Sequence, residues 1–220
     1  MPGGGRSVFV QISPELSLGF GTPLSIRRVP NAAAINPGLE RAILARRVRD
    51  EGNRISNVGG WQSRPDFLDW PEPEIKMLAS EVDRAIQQIM ALPAILEQRP
   101  PSPARVKHQT YGWANVNETG SYNMLHMHPG HHWSVVYYVA VGTPMPDTPM
   151  NGRLELRDPA PAAQFARIPG FRCGQPMLIK PDAGMMIVFP SYIEHGVHPF
   201  HGEGHRISIA INVTVEEAQA

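Results

Sequence analysis

The sequence is poor in cysteine, and it lacks both a net charge and a long apolar run. Its 220 residues include one cysteine, Cys173, so no disulfide can form within the chain, as is typical of a reducing compartment. The 20 basic and 20 acidic side chains cancel, which gives no general attraction to nucleic acid or to an anionic membrane. The longest apolar stretch, Trp133 to Val141, is too short to span a bilayer. With no apolar signal-peptide stretch at the start, we expect a cytoplasmic protein without nucleic-acid or membrane partners.

Proline and glycine are abundant, with 23 and 20 residues, and this composition favours many turns and short strands over long helices. One helix is nonetheless predicted with Asn36 as its N-cap and Pro37 as its first residue, because these types favour those positions. Apolar residues then recur at helical spacing as far as Val48, and Gly52 provides a stop.

A second helix is predicted to begin at Pro71 or Pro73 and to end at Pro93, since apolar residues between them recur every three or four positions. Residues 95–104 are predicted to be a linker. Beyond it the apolar period changes to two, which predicts short strands. The predicted strands are 105–116, 121–128, 133–141, 153–157, 164–168, 177–180, 185–189, 193–198 and 206–214.

This pattern predicts a mainly β fold with flanking helices, either a β-sandwich or a jelly roll. The length suits one domain. We therefore expect a single domain over residues 1–220, in which residues 1–104 form a helical support and residues 105–220 form the jelly-roll core. The sequence does not determine an oligomeric state, and a dimer is compatible with it.

Histidine is clustered in the second half of the chain. His126 and His128 end a strand-like run, and residues two apart on a strand point to the same face. His195, which follows a buried-looking strand and a turn, is the best candidate for a third ligand. Three ligands leave open positions on an octahedral metal, as catalysis requires. The other histidines after residue 128 lie in polar, Gly/Pro-rich stretches that are typical of surface loops; they are His131, His132, His198, His201 and His205.

Arg206 begins a strand with alternating apolar residues, and a guanidinium that faces inward needs an anionic partner. Ser208 lies two residues later and shares its face. A guanidinium fork and a hydroxyl on one face form a clamp for a carboxylate. An edge-strand arginine that faces water is the alternative for Arg206 alone.

At this point the sequence resembles the 2-oxoglutarate/Fe(II) oxygenase superfamily, and in particular its prolyl-4-hydroxylase-like branch. The resemblance covers about residues 111 to 213, with a further similarity at GGWQS before them. It is carried by the segments WANVNETGSYNMLHMHPGHHWSVVYYVAVG, GRLELRDP and GMMIVFPSYIEHGVHPFHGEGHRISIAINV. The resemblance implies a double-stranded β-helix that binds iron through an H-x-D…H triad.

Carried over by position, the resemblance makes His126 the first iron ligand and His195 the distal one. Arg206 matches the arginine that binds the far carboxylate of 2-oxoglutarate, and Ser208 completes an R-x-S pattern. Tyr138 matches a tyrosine that reaches the same carboxylate. Asn115 is a further candidate for the cosubstrate pocket.

The implied activity is a dioxygenase reaction that hydroxylates an unactivated C–H bond and releases succinate and CO₂. The implied cofactor and cosubstrates are Fe(II), 2-oxoglutarate and O₂, with ascorbate as a candidate reductant. The substrate is expected to be a small molecule or a peptide. One departure from the pattern is that His128 occupies the acidic position of H-x-D. An all-imidazole site of His126, His128 and His195 is expected to lose metal near pH 6.

Two other protein classes fit part of the pattern. A cupin also carries an H-x-H pair with a distant third histidine, but a cupin usually has a Glu four or five residues after the pair. Those positions are His132 and Trp133 here. The other class is a catalytically silent jelly roll that binds metal or sugar as an interaction module. Neither class needs a clamp for a dicarboxylate, so Arg206 and Ser208 separate both from the oxygenase.

Overall fold

The computed structural model describes residues 21–165, 168–169 and 174–216, together with residues 10, 11, 13, 15, 17 and 18. Cys173 lies outside the described residues. Two short 3-10 helices, Phe67–Asp69 and Pro161–Phe165, interrupt the connections. The helices and strands are β1 (Val10–Gln11), β2 (Ser17–Leu18), β3 (Ser25–Arg28), α1 (Ala32–Arg49), β4 (Asn57–Val58), β5 (Trp61–Gln62), α2 (Pro73–Met90), α3 (Leu92–Leu96), β6 (His108–Asn117), β7 (Tyr122–His126), β8 (Trp133–Pro144), β9 (Leu154–Leu156), β10 (Met177–Ile179), β11 (Met185–Pro190), β12 (His195–Val197) and β13 (Gly202–Val215).

Apart from β1 and β2, which pair with each other, the strands form two antiparallel sheets that pack face to face. One has six strands in the order β3-β11-β8-β13-β6-β5, and the other has five in the order β10-β9-β12-β7-β4. Helices α1 and α2 cover the outer face of the six-stranded sheet. The predicted jelly roll with flanking helices is therefore confirmed. Among the described residues, no helix is both long enough and apolar enough to cross a membrane.

Strand β13 shows how the sequence produces these layers. Its residues 207, 209 and 211 are isoleucines that pack with α1 and α2 in the larger hydrophobic core. Complete burial of such a side chain contributes about 1.5–3 kcal/mol. The residues between them point to the opposite face, toward the five-stranded sheet. A second, smaller core fills part of the space between the sheets, and it includes Tyr138, Leu154 and Phe189.

The first helix differs from its prediction. It begins at Ala32, and Pro37 lies inside it, at the cost of one backbone hydrogen bond. Asn36 is not the N-cap, because its side chain serves a tertiary contact: it accepts a bond from the Tyr137 hydroxyl (2.5 Å) and donates one to the Val139 carbonyl (2.8 Å). Val48 is 87% exposed rather than buried, since it lies near the helix end, away from the sheet.

The second helix begins at Pro73, as predicted, and ends at Met90. Pro93 then lies in the first turn of α3. Predicted strand 164–168 is wrong where the structure describes it, because residues as far as Phe165 form a 3-10 helix. The segment before residue 104 is also not purely helical: β3 and β5 extend the six-stranded sheet, and β4 extends the other.

Candidate metal and cosubstrate site

Three histidines converge in the space between the two sheets. His126 ends β7, His128 follows it, and His195 begins β12. His126 and His195 are direct partners across the β7–β12 pairing, and their ring centroids are 4.4 Å apart. One ring nitrogen from each of the three residues lies within 4.8 Å of the others. The fold therefore brings together the three histidines that the sequence predicted as ligands, in an arrangement that could hold one metal ion.

Backbone carbonyls orient two of these rings. The Nδ1 atom of His126 lies 2.7 Å from the carbonyl oxygen of Met124, and Nδ1 of His195 lies 2.9 Å from that of Ile193. A carbonyl only accepts hydrogen bonds, so each Nδ1 carries the proton and donates it. The lone pair is left on Nε2, which is how a neighbouring acceptor prepares a histidine to bind metal.

An irregularity in β7 brings further polar groups to the site. His195 pairs with His126, but Val197 pairs with Asn123. Strand β7 therefore contains one more residue than β12 between the two pairs. Such a bulge redirects side chains. As a result, Asn123 lines the same cavity as His126 and His195, together with Trp113 on the opposite sheet.

Two acidic residues that could replace the missing carboxylate ligand, Asp158 and Glu194, are engaged elsewhere. Asp158 accepts hydrogen bonds from the backbone amides of Ala160 (2.8 Å) and Gly174 (2.5 Å), as a turn residue does. Glu194 pairs with Arg157 at 3.0 Å. In the parts of the chain that the structure describes, the only cluster of potential ligands contains histidines alone.

Arg206 lies in the wall of the same cavity and is 1% exposed. Its Nε atom donates to the carbonyl of Gly152 (3.1 Å), and Nη1 donates weakly to the Ser208 hydroxyl (3.4 Å). Its Nη2 atom is buried without a hydrogen-bond partner. No carboxylate of the described residues lies within ion-pair distance of it. A buried guanidinium without an anion is costly, so this position favours a bound carboxylate.

The remaining predicted residues lie in one row across the six-stranded sheet. Ser208 pairs with Asn115 on one side and with Tyr138 on the other. Cross-strand partners share a face, so all three point toward the five-stranded sheet. The Tyr138 hydroxyl and Asn115 Oδ1 are buried and make no hydrogen bond of ordinary geometry. The Tyr138 hydroxyl interacts with Arg206, whose guanidinium carbon lies 5.1 Å from the centroid of the Tyr138 ring. The row presents unsatisfied polar atoms beside the unpaired charge.

Gly152 was not predicted from the sequence to support the candidate site. Its carbonyl holds the Arg206 Nε atom, and its φ angle of 61° is in the left-handed region that favours glycine. A side chain there would also begin 3.4 Å from the Phe200 ring and 3.5 Å from Arg206. The only sequence signal was the Asn-Gly pair, which is typical of a turn.

Four of the other histidines make side-chain contacts away from the candidate site. His198 lies 2.8 Å from a Glu155 oxygen, and His205 lies 3.4 Å from a Glu118 oxygen. His132 accepts a bond from the Val215 amide at 2.8 Å. His131 is half-buried rather than a free loop residue, because its ring joins Tyr111 to Thr214.

Burial controls the protonation of the histidine cluster. Loss of hydration disfavours the imidazolium form. It lowers the pKa of His195 to about 3 and, aided by the charge of His126, lowers the pKa of His128 to about 4. The pKa of His126 is also lowered by burial, against a raising effect of its bond to Met124. These rings stay neutral and able to bind metal below pH 6, so we now expect metal loss at a more acidic pH than the sequence alone suggested.

The same shifts predict that the metal-free protein loses stability in acid. In the unfolded chain these histidines take up protons below about pH 6.5, whereas in the folded protein their pKa values lie lower. The unfolded state therefore binds more protons below pH 6.5, and the free energy of unfolding falls as the pH decreases. Thermal unfolding from pH 7.5 to 5 should show this slope. The fall in stability with decreasing pH should be shallower in His128→Gln. An identical pH dependence in that variant would contradict a lowered pKa of His128 as one of its causes.

Together, the jelly roll, the histidine cluster and the buried arginine form a candidate site for one metal ion beside an unpaired guanidinium. Residues 111–212 match a family model described as "Putative 2OG-Fe(II) oxygenase". No curated protein sequence matches the chain.

Several solved structures share the fold. A prolyl-4-hydroxylase from Pseudomonas putida is 15% identical, with 87% of this chain and 92% of that chain covered and a TM-score of 0.58. A prolyl hydroxylase from Trichoplax adhaerens, in complex with a hypoxia inducible factor peptide, is 13% identical, with coverages of 88% and 84% and a TM-score of 0.62. HygX from Streptomyces hygroscopicus, with nickel, 2-oxoglutarate and hygromycin B bound, is 12% identical, with coverages of 88% and 83% and a TM-score of 0.56.

The family match agrees with the resemblance to the 2-oxoglutarate/Fe(II) oxygenase superfamily, and the chain shares the fold of two prolyl hydroxylases. The matched family is one of oxygenases that use Fe(II), 2-oxoglutarate and O₂. The residues present fit these groups. Two imidazoles have Nε2 free for a metal, and the unpaired Nη2 of Arg206 suits an anionic cosubstrate.

Proposed function

We propose that this protein is a hydroxylase that inserts one oxygen atom of O₂ into an unactivated C–H bond while 2-oxoglutarate is converted to succinate and CO₂. One observation carries the proposal: a guanidinium with no carboxylate partner among the described residues is buried in the wall of the cavity that the three histidines line. A cupin or a silent metal-binding module needs no such dicarboxylate anchor.

In this proposal His126, His128 and His195 hold the metal, the first and last through Nε2. When bound, ferrous iron and 2-oxoglutarate together supply the activation of O₂. Arg206 binds the far carboxylate of 2-oxoglutarate, with Ser208 beside it on the same strand face.

Tyr138 and Asn115 complete this carboxylate pocket. Burial raises the pKa of Tyr138, against the opposing charge of Arg206, so its hydroxyl remains a neutral donor for the carboxylate. Asn115, which is 6% exposed, offers its amide group to the same pocket. The two sheets exclude water around these groups, which strengthens their interaction with an anion.

The proposed substrate is a small molecule or a peptide. Proteins of the same fold have been captured with each kind, namely hygromycin B and a peptide fragment. The wall around the histidines offers neutral hydrogen-bonding groups and an indole, from Asn123, Ser56 and Trp113.

The function is tested by incubating the protein with Fe(II), ascorbate, O₂ and 2-oxoglutarate, without a substrate. Slow formation of succinate that requires iron and O₂ is the expected result. Mass spectrometry with ¹³C-labelled 2-oxoglutarate measures it. Production of no succinate by a metal-loaded sample would favour the cupin or the silent module.

The departure at His128 gives a separate prediction. His128→Asp restores the H-x-D pattern and should keep metal binding, because a carboxylate at the same position can still reach the ion. His128→Ala should weaken metal binding strongly. Titration with Fe(II) under anaerobic conditions measures both. Equal affinity of the alanine variant and the wild type would place His128 outside the ligand set.

A further inference from the structure

A line of aromatic rings leads from the histidine cluster to the protein surface. The ring centroid of Trp113 lies 5.5 Å from that of His128, and Tyr111 lies 6.0 Å beyond Trp113. Tyr111 and Trp113 are two apart on β6 and therefore share the site-facing side of the strand. Trp113 lines the cavity, whereas Tyr111 is 38% exposed. The three rings connect a proposed metal ligand with solvent.

The far end of this line has a defined path for a proton. Asn212 Nδ2 donates to the Tyr111 hydroxyl oxygen at 2.9 Å, so the phenolic proton points to its other neighbour, His131 Nε2, at 3.0 Å. His131 is then the Nδ1–H tautomer and donates to the Thr214 hydroxyl at 2.9 Å. The phenol is thus hydrogen-bonded to an imidazole nitrogen with a free lone pair.

We propose that Tyr111 is a redox-active residue which, through Trp113, supplies electrons to the metal site when O₂ is activated without a substrate. This role rests on the proposed function. This role would protect the histidine cluster. When no substrate C–H bond is available, electrons from the aromatic rings reduce the oxidised metal site before it oxidises its own ligands.

Without a substrate, 2-oxoglutarate, O₂, two electrons and two protons give succinate, CO₂ and water. Trp113 supplies each electron to the metal site, and Tyr111 then reduces the oxidised Trp113. The O–H bond of Tyr111 breaks in this step, and its proton passes to His131 Nε2. A hydrogen-atom donor of the ascorbate class then reduces the exposed tyrosyl radical and restores its O–H bond. His131 releases its extra proton to solvent, and the two protons needed to form water are taken up from solvent. Two such donor molecules are oxidised in each turnover that proceeds without a substrate.

A packing role for the same rings makes a different prediction. Edge-on and tilted aromatic contacts stabilise a fold by about 0.5–1.5 kcal/mol, and Tyr111→Phe keeps the ring while removing only the hydroxyl. If Tyr111 served packing alone, this variant would not change any radical or oxidation product.

The first experiment uses the iron-loaded protein with 2-oxoglutarate and O₂, without substrate or ascorbate. Rapid freezing and electron paramagnetic resonance should detect a tyrosyl radical, and ring-deuterated tyrosine identifies it by its changed line shape. The radical should disappear in Tyr111→Phe and decrease several-fold in His131→Leu. It should persist in the control Tyr192→Phe, whose tyrosine is more exposed, at 58%. Peptide mass spectrometry should show added oxygen shifting to Trp113 in Tyr111→Phe.

The second experiment needs no metal. A flash-generated soluble oxidant is applied to the metal-free protein, and tryptophan and tyrosine radicals are followed by their absorption. Transfer from tryptophan to tyrosine in the wild type, lost in Tyr111→Phe but not in Tyr192→Phe, supports the proposal. A tyrosyl radical of equal yield in Tyr111→Phe overturns it. Succinate formation without a Tyr111 radical also overturns the redox role of Tyr111. Failure to form succinate counts against the proposed hydroxylase function, and the metal-free experiment then decides whether Tyr111 is redox-active.

Discussion

Replacement of His195 by alanine is expected to abolish stoichiometric Fe(II) binding and, with it, succinate formation. His195 is the most buried of the three histidines, at 5% exposure, and its Nδ1 is already committed to the Ile193 carbonyl. Loss of an outer-shell partner alone typically costs 10–100-fold in metal affinity, so loss of the ligand itself should cost more than about 100-fold. His126→Ala should behave in the same way. The wild type should bind about one Fe(II) per chain.

Metal analysis after gel filtration, together with anaerobic Fe(II) titration, measures this effect. His201→Ala is a suitable control, since the His201 ring makes no hydrogen bond or ion pair with the described part of the chain. Circular dichroism establishes that each variant is folded. Wild-type metal content in both His126→Ala and His195→Ala would refute the assignment of the ligands.

Replacement of Arg206 by methionine should separate cosubstrate binding from folding. The affinity for 2-oxoglutarate should fall by about 2 kcal/mol or more, which is the scale of a lost charge-assisted hydrogen bond and corresponds to about 30-fold. The variant should nevertheless be as stable as the wild type without ligand, or more stable. A buried charge that lacks an anion is costly, and apolar replacements of buried ionic groups are often neutral or stabilising by about 1–4 kcal/mol.

Calorimetric titration of the anaerobic, metal-loaded protein measures the affinity, and thermal unfolding with and without 2-oxoglutarate measures stability. Arg157→Met is the control, because Arg157 is an exposed arginine paired with Glu155 and Glu194, and exposed ion pairs contribute little. Unchanged affinity in Arg206→Met would remove the main support for the oxygenase pocket.

The sequence predicted most of the jelly roll because its long strands alternate regularly. In β13 the isoleucines alternate so regularly that Arg206 and Ser208 could be assigned together to the opposite face of the strand. The convergence of His126 and His128 was predicted from the two-residue period of a strand, although β7 ends at His126 and His128 lies just beyond it. Resemblance to a family was needed for Tyr138 and Asn115, which look like ordinary strand residues until the pairing with Ser208 is known.

Other features depend on tertiary contacts that no local pattern contains. The role of Asn36 is set by Tyr137 and Val139, far away in sequence. The two-residue strands β4 and β5 are too short to show a period. The lowered pKa values of the histidines follow from burial between the two sheets, which the sequence alone does not show.

The direct pairing of His126 with His195 also affects how the protein folds. The two strands belong to a sheet of short segments, with five residues in β7 and three in β12. Of the four strands between them in sequence, β8 and β11 belong to the larger sheet. A metal bound across this pair acts as a clip that closes a long loop, and its binding free energy becomes folding free energy. The five-stranded sheet is therefore the part of the molecule whose opening rate should depend most on iron, and amide hydrogen exchange there would report metal occupancy.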